Sequence, residues 1–189
     1  MGSQLNDLKA SEIPRLIAAL GSMDPVVRER ARVDLVSLGH AAVIPLIHEL
    51  GSPSSHVCWE AAKALGSLRD PAAATALAAT LEHEDGDVRW AAANALIALG
   101  SEGLKQTLVT LLTKADSVQT RRAAYHVISH FGHLYRGEPL MPLLAKFRTF
   151  EPGVAIPSAA LDALHAMERG TLRFAFALLE SPGSHISVK

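Results

Sequence analysis

The 189 residues include 18 Lys and Arg and 19 Asp and Glu, a formal net charge of −1, with 49% hydrophobic and 20% charged residues. Such a chain can bury a core, which excludes wholesale disorder, and it lacks the basic excess that marks a nucleic-acid-binding domain. Cys58, the lone cysteine, excludes an internal disulfide framework, and no apolar run reaches the roughly 18 residues needed to cross a bilayer.

The opening stretch MGSQLNDLKASEIPRL lacks the basic start and apolar segment of a signal peptide. A cytoplasmic protein with no membrane partner is therefore expected. In chain order, two kinds of apolar stretch alternate. The first kind reads IPRLIAAL (13–20), VIPLIHEL (43–50), AATALAATL (73–81), GLKQTLVTLL (103–112) and PLMPLLAKF (139–147), closing on Leu20, Leu50, Leu81, Leu112 and Phe147 at steps of 30, 31, 31 and 35. The second reads VRERARVDLVSLG (27–39), VCWEAAKALGSLR (57–69), VRWAAANALIALG (88–100), TRRAAYHVISHFG (120–132) and, more faintly, IPSAALDALHAME (156–168). Its anchors Ala31, Ala61, Ala92, Ala124 and Ala160 step by 30, 31, 32 and 36. Two independent series with one period establish an internal repeat.

Both halves of the repeat predict helices. Val57, Ala61, Ala64, Leu65 and Leu68 fall on one stripe of a helix with 3.6 residues per turn. Alanine dominates these stripes, and it is both the best helix former and small enough for close helix approach. Gly39, Gly100 and Gly132 stand where a left-handed C-cap favours glycine. Asp24-Pro25 and Asp70-Pro71 read as N-caps ahead of a first-turn proline. Asp116 or Ser117 is expected to cap the helix that follows, and Asp87 to cap the one after the acidic run 82–87. Residues 132–138 read as a longer connection.

The expected architecture is all-α: a right-handed α-solenoid of about five helix pairs, over 10–39, 40–69, 70–100, 101–132 and 137–169. A capping helix over 171–180 would complete a single domain spanning 1–180, with 181–189 as a tail. A two-helix unit of this length cannot bury its own stripe, whereas stacked units share one core.

The motif V-R-x-x-A-x-x-A-L-x-x-L-G over Val88–Gly100, with P-L-I (45–47) and P-L-L (142–144) in the preceding helices, resembles the HEAT-like repeat of the phycobilisome-lyase type. The resemblance covers about 10–170. It implies the solenoid fold and leaves function open among scaffolds, adaptors, chromophore lyases and a metal-dependent hydroxylase.

In such a solenoid the second helices line the concave wall. The positions two and six residues beyond the first stripe residue then face the groove. The first series is Glu29, Trp59, Trp90, Arg122 and Ser158, and the second is Val33, Lys63, Asn94, His126 and Asp162. Both tryptophans fall at one repeat position. Exposed, they form a binding platform; folded down, they fill space over the alanine stripe. Lys63, Asn94, Arg121, Arg122 and Tyr125 surround them with polar and cationic groups, a composition that suits an acidic segment better than a basic one. The expected binding residues are Trp59, Lys63, Trp90, Asn94, Arg122, Tyr125 and His126, and the expected partner is a protein or peptide.

No catalytic residue and no cofactor are expected. The hydroxylase relatives hold iron with His-Glu pairs at positions that here read Glu29-Arg30, Trp59-Glu60, Trp90-Ala91 and Arg122-Ala123, none of them His-Glu. His126 and His130 lie one turn apart, a metal-site spacing for which His133, Asp162 or His165 would have to complete the ligand set. Stabilisation by the helix C-terminus explains the same histidines without a metal. Cys58 stands near a helix start, where a thiol pKa can fall, but it also reads as a small apolar filler. Three other uses of the same surface compete with peptide binding: a tetrapyrrole chromophore near Arg121 or Arg122, self-assembly by end-to-end stacking, and nucleic-acid binding. Glu29 and Asp162 in the groove argue against the last.

Overall fold

Ten α-helices are present among the described residues, 12–135 and 140–169, and none of those residues forms a strand. The computed structural model is thus all-α. The helix expected over 171–180 and the tail 181–189 lie outside the described residues. The chain divides into two compact units, Met1–Gln106 and Thr107–Lys189.

The first unit holds α1 (12–19), α2 (Pro25–Ser37), α3 (Val43–Glu49), α4 (Ser55–Leu68), α5 (Ala74–Ala79) and α6 (Gly86–Ala98). Helix α7 (Ser101–Lys114) runs through the boundary, and the second unit continues with α8 (Val118–Tyr135), α9 (Leu140–Lys146) and α10 (Pro152–Glu168). In the first unit α4 packs between α2 and α6, while α3 lies against α4 and α5 against α6. In the second, α9 packs against both α8 and α10.

The stripe expected on α4 is the one that is buried: Val57, Ala61, Ala64 and Leu65 lose nearly all contact with solvent. On α6 the buried partners are Val88, Ala91, Ala92, Ala95 and Leu96. Small side chains set the spacing of the two helices, since a Cβ on Gly66 would stand 3.0 Å from Ala95 Cα. The first-kind helices α3 and α5 are short, with 7 and 6 residues, and 3-10 turns at Gly39–Ala42, Pro71–Ala73 and Thr80–Glu82 extend them.

Local chemistry sets the helix starts. The Asp24 carboxylate accepts from the Val26 N–H at 2.9 Å, and Asp70 accepts from Ala72 at 2.9 Å. Ser117, rather than Asp116, caps α8 through the Thr120 N–H at 3.2 Å. The expectation that Asp87 caps α6 is corrected. Asp85 accepts from the Asp87 and Val88 N–H groups and Asp87 sits inside the first turn, because the extended backbone of Asp85 aims its carboxylate at the free amides. These bonds, the Asp87 amide first, hold the Asp85 carboxyl below its ordinary range. Asp70 is lowered in the same way, by the Ala72 amide and then by His40, whose Nδ1 lies 2.5 Å from Asp70 Oδ2. That pair ties the start of the second repeat to the start of the third.

Helix ends follow the expected glycines in two cases. Gly39 (φ 65°) and Gly100 (φ 63°) are left-handed. Gly132 differs: α8 continues through it to Tyr135. A Cβ there would come within 2.9 Å of Leu144 Cδ1, so this glycine admits α9 rather than ending a helix. Residues 132–135 are therefore helix and not connection. Arg69 takes the left-handed site of the second repeat (φ 53°), which costs a side-chain-bearing residue about 1–2 kcal/mol relative to a right-handed one. Arg69→Gly is expected to stabilise the protein by about 1 kcal/mol, read as a higher urea midpoint at an unchanged m value. An unchanged or lower midpoint would show that the arginine side chain repays the backbone cost.

Candidate functional site

All residues of the two groove-facing series are at least partly exposed, from Glu29 and Val33 through Ser158 and Asp162. The helical register thus places one side of α2, α4, α6, α8 and α10 toward solvent. The two units are taken in turn.

In the first unit a groove of about 650 Å³ runs along α4 and α6. Its floor is small: Ala62, Gly66, Ala91 and Ala95. Its walls carry Trp90, Lys63, Arg69 and Arg32, with Asn94 beside the ring. Trp90 is 60% exposed, a large apolar surface left to water. Asn94 Nδ2 donates to the Trp90 carbonyl oxygen at 2.9 Å, so this amide lies along the helix and leaves the indole open. Trp59 stands at the same repeat position but in a different state. It is half-buried and outside the groove lining, and Lys63 Nζ lies 3.9 Å above its ring. Burial, and next the nearby Arg32 charge, push the Lys63 ammonium below its ordinary pKa.

In the second unit Arg122, Tyr125 and His126 are exposed on α8. Tyr125 meets Phe147 edge to face, with centroids 5.4 Å apart. His130 is also exposed on α8, and its pKa is lowered, first by partial burial and then by His126. His133 is exposed as well. Among the described residues no three His, Cys, Asp or Glu side chains gather in a way that could hold a metal ion.

Two further features emerge from the structure. The first is the motif arginine. Arg28 Nη1 donates to the carbonyls of Ser22 (2.7 Å) and Met23 (3.2 Å). Arg89 Nη1 reaches His83 O (2.6 Å) and Glu84 O (2.7 Å), and Arg121 Nη1 reaches Ala115 O (2.5 Å) and Asp116 O (2.8 Å). Each guanidinium thus clamps the loop ahead of its own helix, six and five residues back. Arg121 is engaged in this way, whereas Arg122 is exposed on α8. Cys58 occupies the arginine position in the second repeat, and its thiol donates to Ser52 O at 3.1 Å. It is fully buried, and burial pushes the thiol pKa up, so it behaves as a filler rather than a nucleophile.

The second feature is Glu60, a carboxylate on α4 with only 4% of its side chain exposed. Arg32 Nε donates to it at 2.9 Å and Arg28 Nε lies 3.9 Å away. The same Arg32 lies 3.4 Å from Glu29 on its outer side. An acidic residue next to Trp59 is therefore the buried centre of an ion cluster joining α2 to α4.

The helix pairs, their period and the solvent-facing side of the second helices define a helical-repeat protein. HEAT repeats match residues 13–96 and 77–149, and the chain belongs to the HEAT-repeat family. Members of this family commonly serve as protein-interaction scaffolds and are typically non-enzymatic. No curated protein and no solved structure matches the chain. No helix among the described residues is long and apolar enough to cross a membrane.

Proposed function

We propose that this protein is a non-catalytic scaffold or adaptor that binds a protein or peptide segment on the exposed side of its second helices, with Trp90 as the anchor. The observation that carries this reading is the exposure of Trp90 beside a groove with a small-residue floor. A buried tryptophan removes about 150–250 Å² of surface from water. Trp, Tyr and Arg are the residues most often dominant at interfaces, set in pockets with near-neutral contacts around them. The alanine and glycine floor lets a partner backbone or side chain sit close to α4 and α6. Lys63, Arg69 and Asn94 orient it with charge and hydrogen bonds. Trp59, held under Lys63, is a secondary contact that opens only if the lysine swings away.

The test is capture of partners from source-cell lysate by wild-type protein, Trp90→Ala and Trp59→Ala, each first confirmed as helical and monodisperse. A partner held by wild type and weakened at least about tenfold by Trp90→Ala, and less by Trp59→Ala, supports the reading. Equal retention by wild type and Trp90→Ala removes the groove from it.

A further inference from the structure

The second unit carries a notch of about 430 Å³, within the roughly 300–1,000 Å³ range of ligand pockets. Three elements build it. Val118, Arg122 and Tyr125 follow one stripe of α8, Phe147 and Arg148 come from the turn after α9, and Pro152 opens α10. Arg121 also borders the notch, but its guanidinium is spent on the carbonyls of Ala115 and Asp116.

Two properties of this notch point to a ligand. Arg122 and Arg148 are both exposed, and among the described residues neither has a carboxylate within ion-pair distance. Elsewhere the protein pairs such charges: Arg32 and Arg28 share Glu60. The same notch has an apolar wall, the edge-to-face Tyr125–Phe147 pair, with Tyr125 44% exposed and Val118 48% exposed. No carboxylate lines the notch. Fork-shaped cations beside exposed rings match a planar anion attached to an apolar group.

We infer that this notch docks an acidic, extended segment of a partner protein. Its Asp or Glu carboxylates would face Arg122 and Arg148, and a neighbouring apolar side chain would lie against Tyr125 and Phe147. A nucleic acid fits less well, because a phosphate backbone is followed by a long basic track and the whole chain has a net charge of −1. The notch shares no lining residue with the Trp90 groove, and the inference does not rest on that groove.

The test uses the full chain and a fluorescein-labelled peptide, Glu-Asp-Leu-Phe-Glu-Asp, at low ionic strength, read by polarisation. Its amide counterpart, Gln-Asn-Leu-Phe-Gln-Asn, and a labelled oligothymidylate are measured alongside. The acidic peptide is expected to bind the wild type. It should bind the double variant Arg122→Glu/Arg148→Glu at least about tenfold more weakly, and Arg122→Gln/Arg148→Gln with an intermediate loss. Both arginines are exposed, so helicity by circular dichroism should be unchanged in each variant. Four results would overturn the inference: no binding of the acidic peptide to wild type, equal binding of the amide peptide, binding indifferent to both arginine variants, or tighter binding of the oligothymidylate.

Discussion

Gly103→Ala is expected to destabilise the protein by about 3 kcal/mol or more, which lowers Tm by about 6–12 °C at this chain length. Gly103 lies in the first turn of α7, where the helix crosses the end of α6. A Cβ there would stand 2.6 Å from the Leu96 carbonyl carbon and 2.9 Å from Leu96 Cα, with the carbonyl oxygen closer still. All three are backbone atoms of α6, so no rotamer change relieves the overlap. One helix has to shift against the other, and Leu96 and Leu104, both fully buried, lose their fit. Gly51→Ala is the control. Its nearest neighbour would be the His48 carbonyl oxygen at 3.6 Å, ordinary contact. That variant should stay within about 0.5 kcal/mol of wild type. If the two variants melt together, the close crossing of α6 and α7 is not what Gly103 serves.

The second large effect is expected at Glu60. Replacing it with alanine leaves Arg32, with 14% of its side chain exposed, and Arg28, with 15%, without their shared anion. Breaking a buried pair costs about 3–5 kcal/mol, because the remaining charge stays desolvated. The partial exposure of Arg32 and its contact with Glu29 put the expected cost near the lower end, about 3 kcal/mol. Glu60→Gln keeps the shape and one acceptor and should fall between the two. The informative comparison is Arg32→Met/Glu60→Leu. Removing both charges in favour of apolar volume is often neutral, so this double variant should be more stable than Glu60→Ala alone. Urea unfolding at constant m measures it. A double variant no better than the single one would show that Arg28, rather than Arg32, is the partner that matters.

Much of the fold was legible because its determinants are local. The apolar spacing, the Asp-Pro starts and the glycine ends each act within a turn or two. Gly132 misled for a physical reason: a glycine admits a neighbouring helix as readily as it permits a left-handed turn, and only the position of Leu144 tells the two apart. Arg69 hid a left-handed end because propensity argues against arginine there. Glu60 could not be read as buried, since its partner Arg32 stands 28 residues earlier and meets it only through the repeat register. The clamping arginines, by contrast, were visible as a recurring residue one position after the stripe begins.

For the site, the sequence placed both tryptophans at one repeat position. What it did not carry is their difference. Four residues beyond Trp59 stands a lysine that reaches back over the ring; four residues beyond Trp90 stands an asparagine too short to do so. Trp59, with the lysine over its ring, is half-buried, while Trp90 is open to water. The notch of the second unit was half legible. Arg122 and Tyr125 lie on α8, but Phe147 and Arg148 enter from a turn whose position depends on how α9 packs.

The arginine clamp also bears on how such a protein can change. In each case the Nη1 nitrogen binds only main-chain oxygens, at Ser22 and Met23, at His83 and Glu84, and at Ala115 and Asp116. Three loops with unrelated side chains are fastened identically, so the fastening does not depend on what those side chains are. Loop residues other than the capping Asp24, Asp85 and Ser117 can drift, or be diversified in a library, while each loop stays fastened to its helix. A repeat protein built this way separates the part that holds its shape from the part that can acquire new chemistry.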